Sequence, residues 1–342
     1  MTSNNAAYLV TEKAPLEVKP APYPEPKNDE VVIDNYAVAL NPVDSAQQKL
    51  GPSIFPWLKF PAILGCDVAG HVTALGSGVT KYKIGDRVAG YSMGTFQEYV
   101  PVKEYLCAKI PDNIGFEEAA VLPLCLSVAV KTLFHPDYLA LDLPTSVTQA
   151  NGKVILVWGG STSVGCNIIQ LAKAAGFDVI TTSSPKNFDY LKKLGASQTF
   201  DYNSPTIKEV LLTAVKGKVV AGAIANGGLD VTIYPSIVET CAAVALSSPE
   251  NCKVVPLTMV PRFPVPEGVE TKFVVPLATD KELASWVFND YISDALASGS
   301  FVPAPEVKVV GHGLESLQGA LDTLDAGVSA KKIVVTMKRE AE

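Results

Sequence analysis

The stretch VILVWGGSTSVGCNIIQLAKAAG, starting at Val154, constrains the fold more than any other part of the chain. Residues 154–158 form an unbroken apolar run, which reads as a buried strand. In residues 166–175, Ile168, Ile169, Leu171 and Ala172 recur at helical spacing. A glycine-containing turn joins the two: Gly160 opens it, Gly165 stands at the helix start, and Thr162 fills the middle-glycine place of a G-x-G-x-x-G pattern. Such a unit presents free backbone N–H groups at the positive end of a helix, which suits a dinucleotide pyrophosphate. The hydroxyls of Ser161, Thr162 and Ser163 add donors. The plainer alternative is a strand–helix turn that holds nothing.

The end of the next strand, expected over residues 178–182, sharpens this reading. An NAD site usually places Asp or Glu there to bind the ribose 2′-OH. This chain reads Thr181-Thr182-Ser183-Ser184-Pro185-Lys186-Asn187, with no acid. Hydroxyls and a lysine accept a 2′-phosphate that a carboxylate would repel, so the expected cofactor is NADPH. Taken alone, Lys186 is equally a solvated first-turn residue.

The rest of the chain supplies the setting. The first part is β-rich, with short apolar runs at 31–33, 36–40 and 68–75 punctuated by Pro and Gly, as in a small barrel. From about Asn151 strands and helices alternate: a helix marked by Phe188, Leu191 and Leu194, a strand at 221–225, a helix at 233–240 and a strand at 242–246. That rhythm predicts a parallel sheet covered on both faces. A longer amphipathic helix from about Lys281, a strand at 307–310, a helix carrying Leu314, Leu317, Leu321 and Leu324 on one face, and a strand at 333–336 follow. Residues 134–152 read as a long surface connection. At 342 residues the chain exceeds one small core, and 48% hydrophobic against 18% charged residues fills two. The net charge of −7 disfavours nucleic acid, and no apolar run is long enough to span a bilayer. The six cysteines (Cys66, Cys107, Cys125, Cys166, Cys241, Cys252) stand singly, and no secretory signal is read, so reduced thiols in a cytoplasmic protein are expected. His71, His135 and His312 are dispersed and read as structural or surface residues.

Three segments carry a family resemblance: Asn41-Pro42-Val43-Asp44, then LGCDVAGHVTALGSGVTKYKIGDRVAG, then Gly94-Thr95-Phe96-Gln97-Glu98-Tyr99. In this order they resemble the medium-chain dehydrogenase/reductase superfamily, over nearly the whole chain. Within it the chain is similar to the zinc-independent quinone oxidoreductase and enoyl reductase branch. SSPKNFDYLKKLGA and FDYNSP resemble the fungal trans-acting enoyl reductases, ToxD-like and lovastatin-type. The resemblance implies an α/β protein, with a GroES-like β-barrel domain at 1–132, a Rossmann doubly wound parallel-sheet domain at 133–300, and a return to the first domain at 301–342. It implies that Ser161, Thr162, Ser163 and Val164 cradle the pyrophosphate, and that Ser184, Lys186, Asn187 and Tyr202 surround the 2′-phosphate. Leu246 is placed on the cofactor side, and Asp44, Ser45 and Ser329 near the nicotinamide half.

Zinc alcohol dehydrogenases of the superfamily carry Cys where this chain has Asp44, His-Glu where it has Cys66-Asp67, and a four-cysteine lobe that is missing here, so no metal is expected. The proton donor is unassigned: SAQQKLGPS offers no matching Tyr, and Ala46 stands where fungal relatives have Lys. Tyr91, Met93, Leu126 and Ser127 are candidate substrate neighbours, with core packing as the alternative. The implied reaction is hydride transfer to the C=C bond of an α,β-unsaturated carbonyl: an enoyl thioester, enone or quinone. The substrate is a small molecule or an acyl thioester, a polyketide synthase acyl carrier domain being the special-case partner. The competing readings are a non-catalytic NADPH-binding protein and a zinc-dependent alcohol dehydrogenase.

Overall fold

A computed structural model describes residues 3–145, 148–227, 232–248, 253–260 and 263–338. The chain forms two compact units, residues 1–124 with 278–342, and residues 125–277. The expected boundaries were 132/133 and 300/301. The later junction comes earlier because residues 281–298, helical with a π-turn over Trp286–Tyr291, dock on the first unit. There Asn289 Nδ2 donates to the Cys107 carbonyl at 2.8 Å, Ser293 Oγ to the Lys109 carbonyl at 2.9 Å, and Asn113 Nδ2 to the Leu296 carbonyl at 3.2 Å.

The first unit is GroES-like and built on a curved, largely antiparallel sheet. Its strands run in the order Glu306–His312, Lys331–Thr336, Glu30–Ala39, Asp67–Leu75, Arg87–Tyr91 and Cys107–Lys109, and Tyr99–Lys103 also pairs with Glu30–Ala39. Register shifts between Val32 and Ile33 and between Asn35 and Ala37 bend the long Glu30–Ala39 strand. The C-terminal return belongs here for a packing reason. Leu314, Leu317, Leu321, Ile333 and Val335 share one buried cluster with Leu9, Val38, Leu40, Leu64 and Phe96. The 3-4-3 leucine spacing therefore marks a buried helix face, realised over Leu317–Asp325 with a 3₁₀ turn before it.

The second unit is a Rossmann sheet. Gln198–Asp201, Asp178–Ser183, Lys153–Val157 and Val219–Ile224 lie side by side, all parallel. Val254–Leu257 joins Val219–Ile224 through a parallel bridge at Ala225, and Glu270–Phe273 follows it. In chain order within the unit this is 3-2-1-4-5-6, whose direction of winding reverses beside Lys153–Val157, where ligands of such sheets bind. Its central strands Lys153–Val157 and Val219–Ile224 are nearly continuously apolar because both faces are covered, whereas the outer Gln198–Asp201 and Glu270–Phe273 are polar and less buried.

One expected strand is a helix. Residues 242–246 continue the helix Tyr234–Leu246, and the next strand is Val254–Leu257. The run AAVAL has no β-branched cluster, and Cys241, Ala242, Val244 and Ala245 bury one helical face against the sheet. Cys66, Cys107, Cys125, Cys166 and Cys241 are buried, unbridged thiols, while Cys252 lies outside the described residues. Among the described residues no helix is long and apolar enough to cross a membrane.

Candidate functional site: a glycine loop and a buried charge cluster

In the second unit the first strand runs into a loop where three glycines do three different jobs. Gly159, not Gly160, makes the turn, with φ +72°, and a β-carbon there would fall 2.0 Å from the Asn226 carbonyl oxygen. Gly160 is needed for proximity, since its β-carbon would meet Thr181 Oγ1 at 2.1 Å. Gly165 lets the helix Ser163–Ala174 enter directly over the loop: a β-carbon would lie 2.4 Å from the Gly159 carbonyl oxygen and 2.8 Å from Gly160 Cα. Thr162, read as a glycine substitute, is the helix N-cap, its Oγ1 accepting the Gly165 N–H at 3.0 Å. Ser161, Ser163 and Val164 are half-buried around this end, where first-turn N–H groups lack helical partners.

The second strand lines the same loop. Gly159 N–H donates to Thr182 Oγ1 at 3.0 Å, Ser183 Oγ donates to Ser161 Oγ at 2.9 Å, and Asn187 Nδ2 donates to Ser183 Oγ at 3.2 Å. Asn187 is therefore turned inward to brace the loop. Ser184 and Tyr202, from the ends of the second and third strands, join hydroxyls at 2.8 Å, with Lys186 exposed nearby in sequence and no carboxylate in residues 181–187. Thr182, Ser183 and Asn226 were not among the expected site residues. The hydroxyl run in TTSS was the available signal for the first two; Asn226 gave none, being a lone amide after an apolar strand.

Leu246 does not join this group. It closes the helix that returns from the carboxyl ends of the strands, so it sits at the opposite end of the sheet, next to Gly268. Ser127 is buried with its hydroxyl held by the Leu277 N–H at 2.6 Å, and Leu126 is buried beside it in sequence.

The first unit holds a second concentration of polar groups, fully buried. Asp44 caps the helix Pro42–Ile54 by accepting the Asn41 N–H at 2.7 Å on Oδ2; its Oδ1 meets no N–H or O–H donor among the described residues. Burial, with the Asp67 charge beside it, raises its carboxyl to about 7. Asp67 accepts the Leu124 N–H at 2.6 Å and Asn41 Nδ2 at 2.8 Å, and its Oδ2 lies 3.3 Å from Lys332 Nζ. Lys332 also donates to Asn41 Oδ1. Burial and the two carboxylates drive the Cys66 thiol well above its ordinary range, so it is an inert thiol. Ser45 Oγ donates to Asp325 Oδ1 at 2.6 Å, Tyr91 is buried with its hydroxyl 3.8 Å from Met93 Sδ, Met93 is exposed, and Ser329 is exposed before the last strand.

Among the described residues no three His, Cys, Asp or Glu side chains gather to hold a metal ion. The positive charge beside Asp67 is the Lys332 ammonium.

The profile of the alcohol dehydrogenase GroES-like domain matches residues 27–112, and that of the zinc-binding dehydrogenase domain matches residues 163–245. The dehydrogenase orf1 of Aspergillus niger is 44% identical, covering 98% of this chain and 100% of that protein. This chain belongs to the medium-chain dehydrogenase/reductase superfamily. The trans-enoyl reductase himH of Aspergillus japonicus is 36% identical, over 95% of this chain and 94% of its own length. Among solved structures, the mycobacterial protein Rv1454c complexed with NADPH superposes with a TM-score of 0.71 at 24% identity, covering 98% of this chain and 100% of that one. The two-unit architecture is that of a medium-chain oxidoreductase, with the glycine loop in its Rossmann unit.

Proposed function

We propose that the protein is an NADPH-dependent, metal-independent reductase of activated C=C bonds. The observation that carries the cofactor is the second-strand end: Ser184 and Tyr202 offer paired hydroxyls, Lys186 offers a cation, and no carboxylate stands in residues 181–187. The glycine loop suits the other half of the same molecule, because its glycines let the turn close and the helix Ser163–Ala174 start directly over it, the geometry that offers first-turn N–H groups to a pyrophosphate. Ser161, Thr162, Ser163 and Val164 would border the pyrophosphate, and Ser184, Lys186 and Tyr202 the 2′-phosphate. Asp44, Ser45 and Ser329 remain assigned to the nicotinamide half. Tyr91, Met93, Leu126 and Ser127 remain assigned to the substrate side, with burial of Tyr91, Leu126 and Ser127 favouring a packing role for those three.

Held by Ser161, Thr162, Ser163, Val164, Ser184, Lys186 and Tyr202, NADPH would supply hydride for the β-carbon of an α,β-unsaturated carbonyl, with solvent water supplying the proton for the α-carbon. Relatives named trans-enoyl reductases support an enoyl thioester among the substrate classes, with one carried by a polyketide synthase acyl carrier domain as the special case. The Lys332–Asp67 pair supports metal independence, because a buried ammonium and a cation compete for the same carboxylate. Purified protein supplied with NADPH and, in turn, an enoyl thioester, an enone and a quinone should oxidise NADPH with at least one of them. Tight NADPH binding without turnover of any would favour the non-catalytic reading, and tighter NADH than NADPH binding would remove the cofactor assignment.

A further inference from the structure

The hydrogen-bond arithmetic around Thr162 fixes the direction of one hydrogen. Its Oγ1 accepts the Gly165 N–H at 3.0 Å and also accepts from Asn226 Nδ2. The orientation of the Asn226 amide is set independently: the same nitrogen reaches the Gly159 carbonyl at 3.4 Å, and a carbonyl oxygen can only accept. A threonine hydroxyl has two lone pairs and one hydrogen. With both lone pairs taken by N–H donors, the hydrogen must point elsewhere, and no acceptor for it stands among the described residues. Thr162 itself is half-buried, whereas Asn226 is 3% exposed and locked in place.

We infer that Asn226 is a positioning residue that makes the Thr162 hydroxyl a committed donor to the pyrophosphate. The inference rests on the dinucleotide reading above. Where the usual loop has a glycine so that backbone approaches the phosphates, this chain has a side-chain donor whose rotor is set from behind. A freely turning hydroxyl would have to be oriented on binding; this one is oriented beforehand. The close approach of Gly159 to the Asn226 backbone is what brings the amide within reach.

The test uses the full chain and two probes that divide the cofactor. ADP-ribose carries the pyrophosphate without a 2′-phosphate, and 2′-AMP carries the 2′-phosphate without a pyrophosphate. In Asn226→Asp a carboxylate can only accept, so it draws the Thr162 hydrogen inward. Titration calorimetry should then show ADP-ribose bound about tenfold more weakly, the scale of one hydrogen bond to a charged group. Asn226→Ala, which frees the rotor without adding charge, should lose about threefold. Binding of 2′-AMP should change less than about twofold in both variants, since its contacts lie on the second-strand end. Equal weakening of both probes would mean a purely structural role and overturn the inference, as would unchanged ADP-ribose binding in Asn226→Ala. If wild type binds 2′-AMP no better than 5′-AMP while ADP-ribose follows the Asn226 series, the 2′-phosphate assignment falls and this inference stands. A wild type that binds no ADP-ribose overturns it.

Discussion

The glycine loop of the second unit and the charge cluster of the first contain similar groups and treat them in opposite ways. Around Gly159–Gly165 the chain removes side chains, starts a helix whose first-turn N–H groups have no helical partner, and fills both lone pairs of the Thr162 hydroxyl with N–H donors. Around Asp67 the chain answers its own charge: a carboxylate with two N–H donors and an ammonium, all buried. The first arrangement leaves donors unspent, whereas the charge of Asp67 is answered within the chain, with only Asp44 Oδ1 beside it meeting no N–H or O–H donor among the described residues. Polar residues alone do not mark a binding site; unspent hydrogen-bonding capacity does.

If the charge of Asp67 is answered within the chain, breaking the cluster should cost stability rather than affinity. Replacing Lys332 by Met leaves Asp67 as an uncompensated buried charge, and urea unfolding should show a loss of about 3–5 kcal/mol. Adding Asp67→Asn to that variant should recover part of the loss, because the charge that lost its partner is then gone. A Lys332→Met protein as stable as wild type would mean that the ammonium does not neutralise the cluster. The loop should respond in the reverse sense. Gly165→Ala drives a β-carbon into the Gly159 carbonyl and the Gly160 backbone, neither of which can rotate away. It should cost about 1–3 kcal/mol of stability through strain and weaken binding of pyrophosphate ligands, by calorimetry, more than that of 2′-AMP. Undiminished ADP-ribose binding in this variant would separate the loop from the pyrophosphate.

Asp44 tests the carboxylate of the cluster whose Oδ1 meets no N–H or O–H donor among the described residues. Its carboxyl is raised to about 7, chiefly by burial and then by Asp67, while Lys332 and the Asn41 N–H oppose the shift. A raised folded-state value means that the native protein holds a proton which the unfolded chain releases above about pH 4. The stabilising proton is fully present at low pH and is lost as pH rises through 7. Asn at this position mimics the protonated form at every pH. Asp44→Asn should therefore match wild type below about pH 4, gain on it as pH rises toward 7, and exceed it by on the order of 4 kcal/mol near pH 8. A pH-independent difference in thermal unfolding would show that Asp44 is already ionised in the folded protein.

The two regions were unequally legible in the sequence. The loop is local: strand, turn and helix are contiguous from Val154, so periodicity and glycine spacing located it, and only the roles of the individual glycines and of Thr162 needed coordinates. The cluster joins three distant stretches, Asn41 with Asp44, Cys66 with Asp67, and Lys332, and nothing in the run AKKIVV distinguishes the buried Lys332 from the exposed Lys331 except the phase of the strand. Asn226 was hidden for the same reason, since its partners are loop residues more than sixty positions earlier. The strand assigned to 242–246 failed because an Ala- and Val-rich segment buried on one side reads alike as helix or strand. The position of the junction at Leu277/Ala278 depends on docking contacts, which no local pattern encodes.

The smallest expected effect lies at the edge of the open region, where selectivity rather than affinity is at stake. Lys186 is exposed and follows Ser184 by two residues, so solvent and salt weaken any charge interaction it makes. The hydroxyls of Ser184 and Tyr202 are already joined at 2.8 Å and can turn together toward a phosphate. Removing the lysine leaves them, and removes only the positive charge. Lys186→Ala should thus weaken NADPH by about tenfold or less, the scale of one exposed charge-assisted hydrogen bond. NADH binding should stay unchanged, because the lysine has no 2′-phosphate to meet. The wild-type preference should also shrink with rising salt, and that of the variant much less. If the NADPH-to-NADH ratio stays the same in Lys186→Ala and loses its salt dependence only in Tyr202→Phe, the hydroxyl pair and not the cation reads the 2′-phosphate. A ratio insensitive to both would leave the second-strand end as closed a structure as the cluster around Asp67.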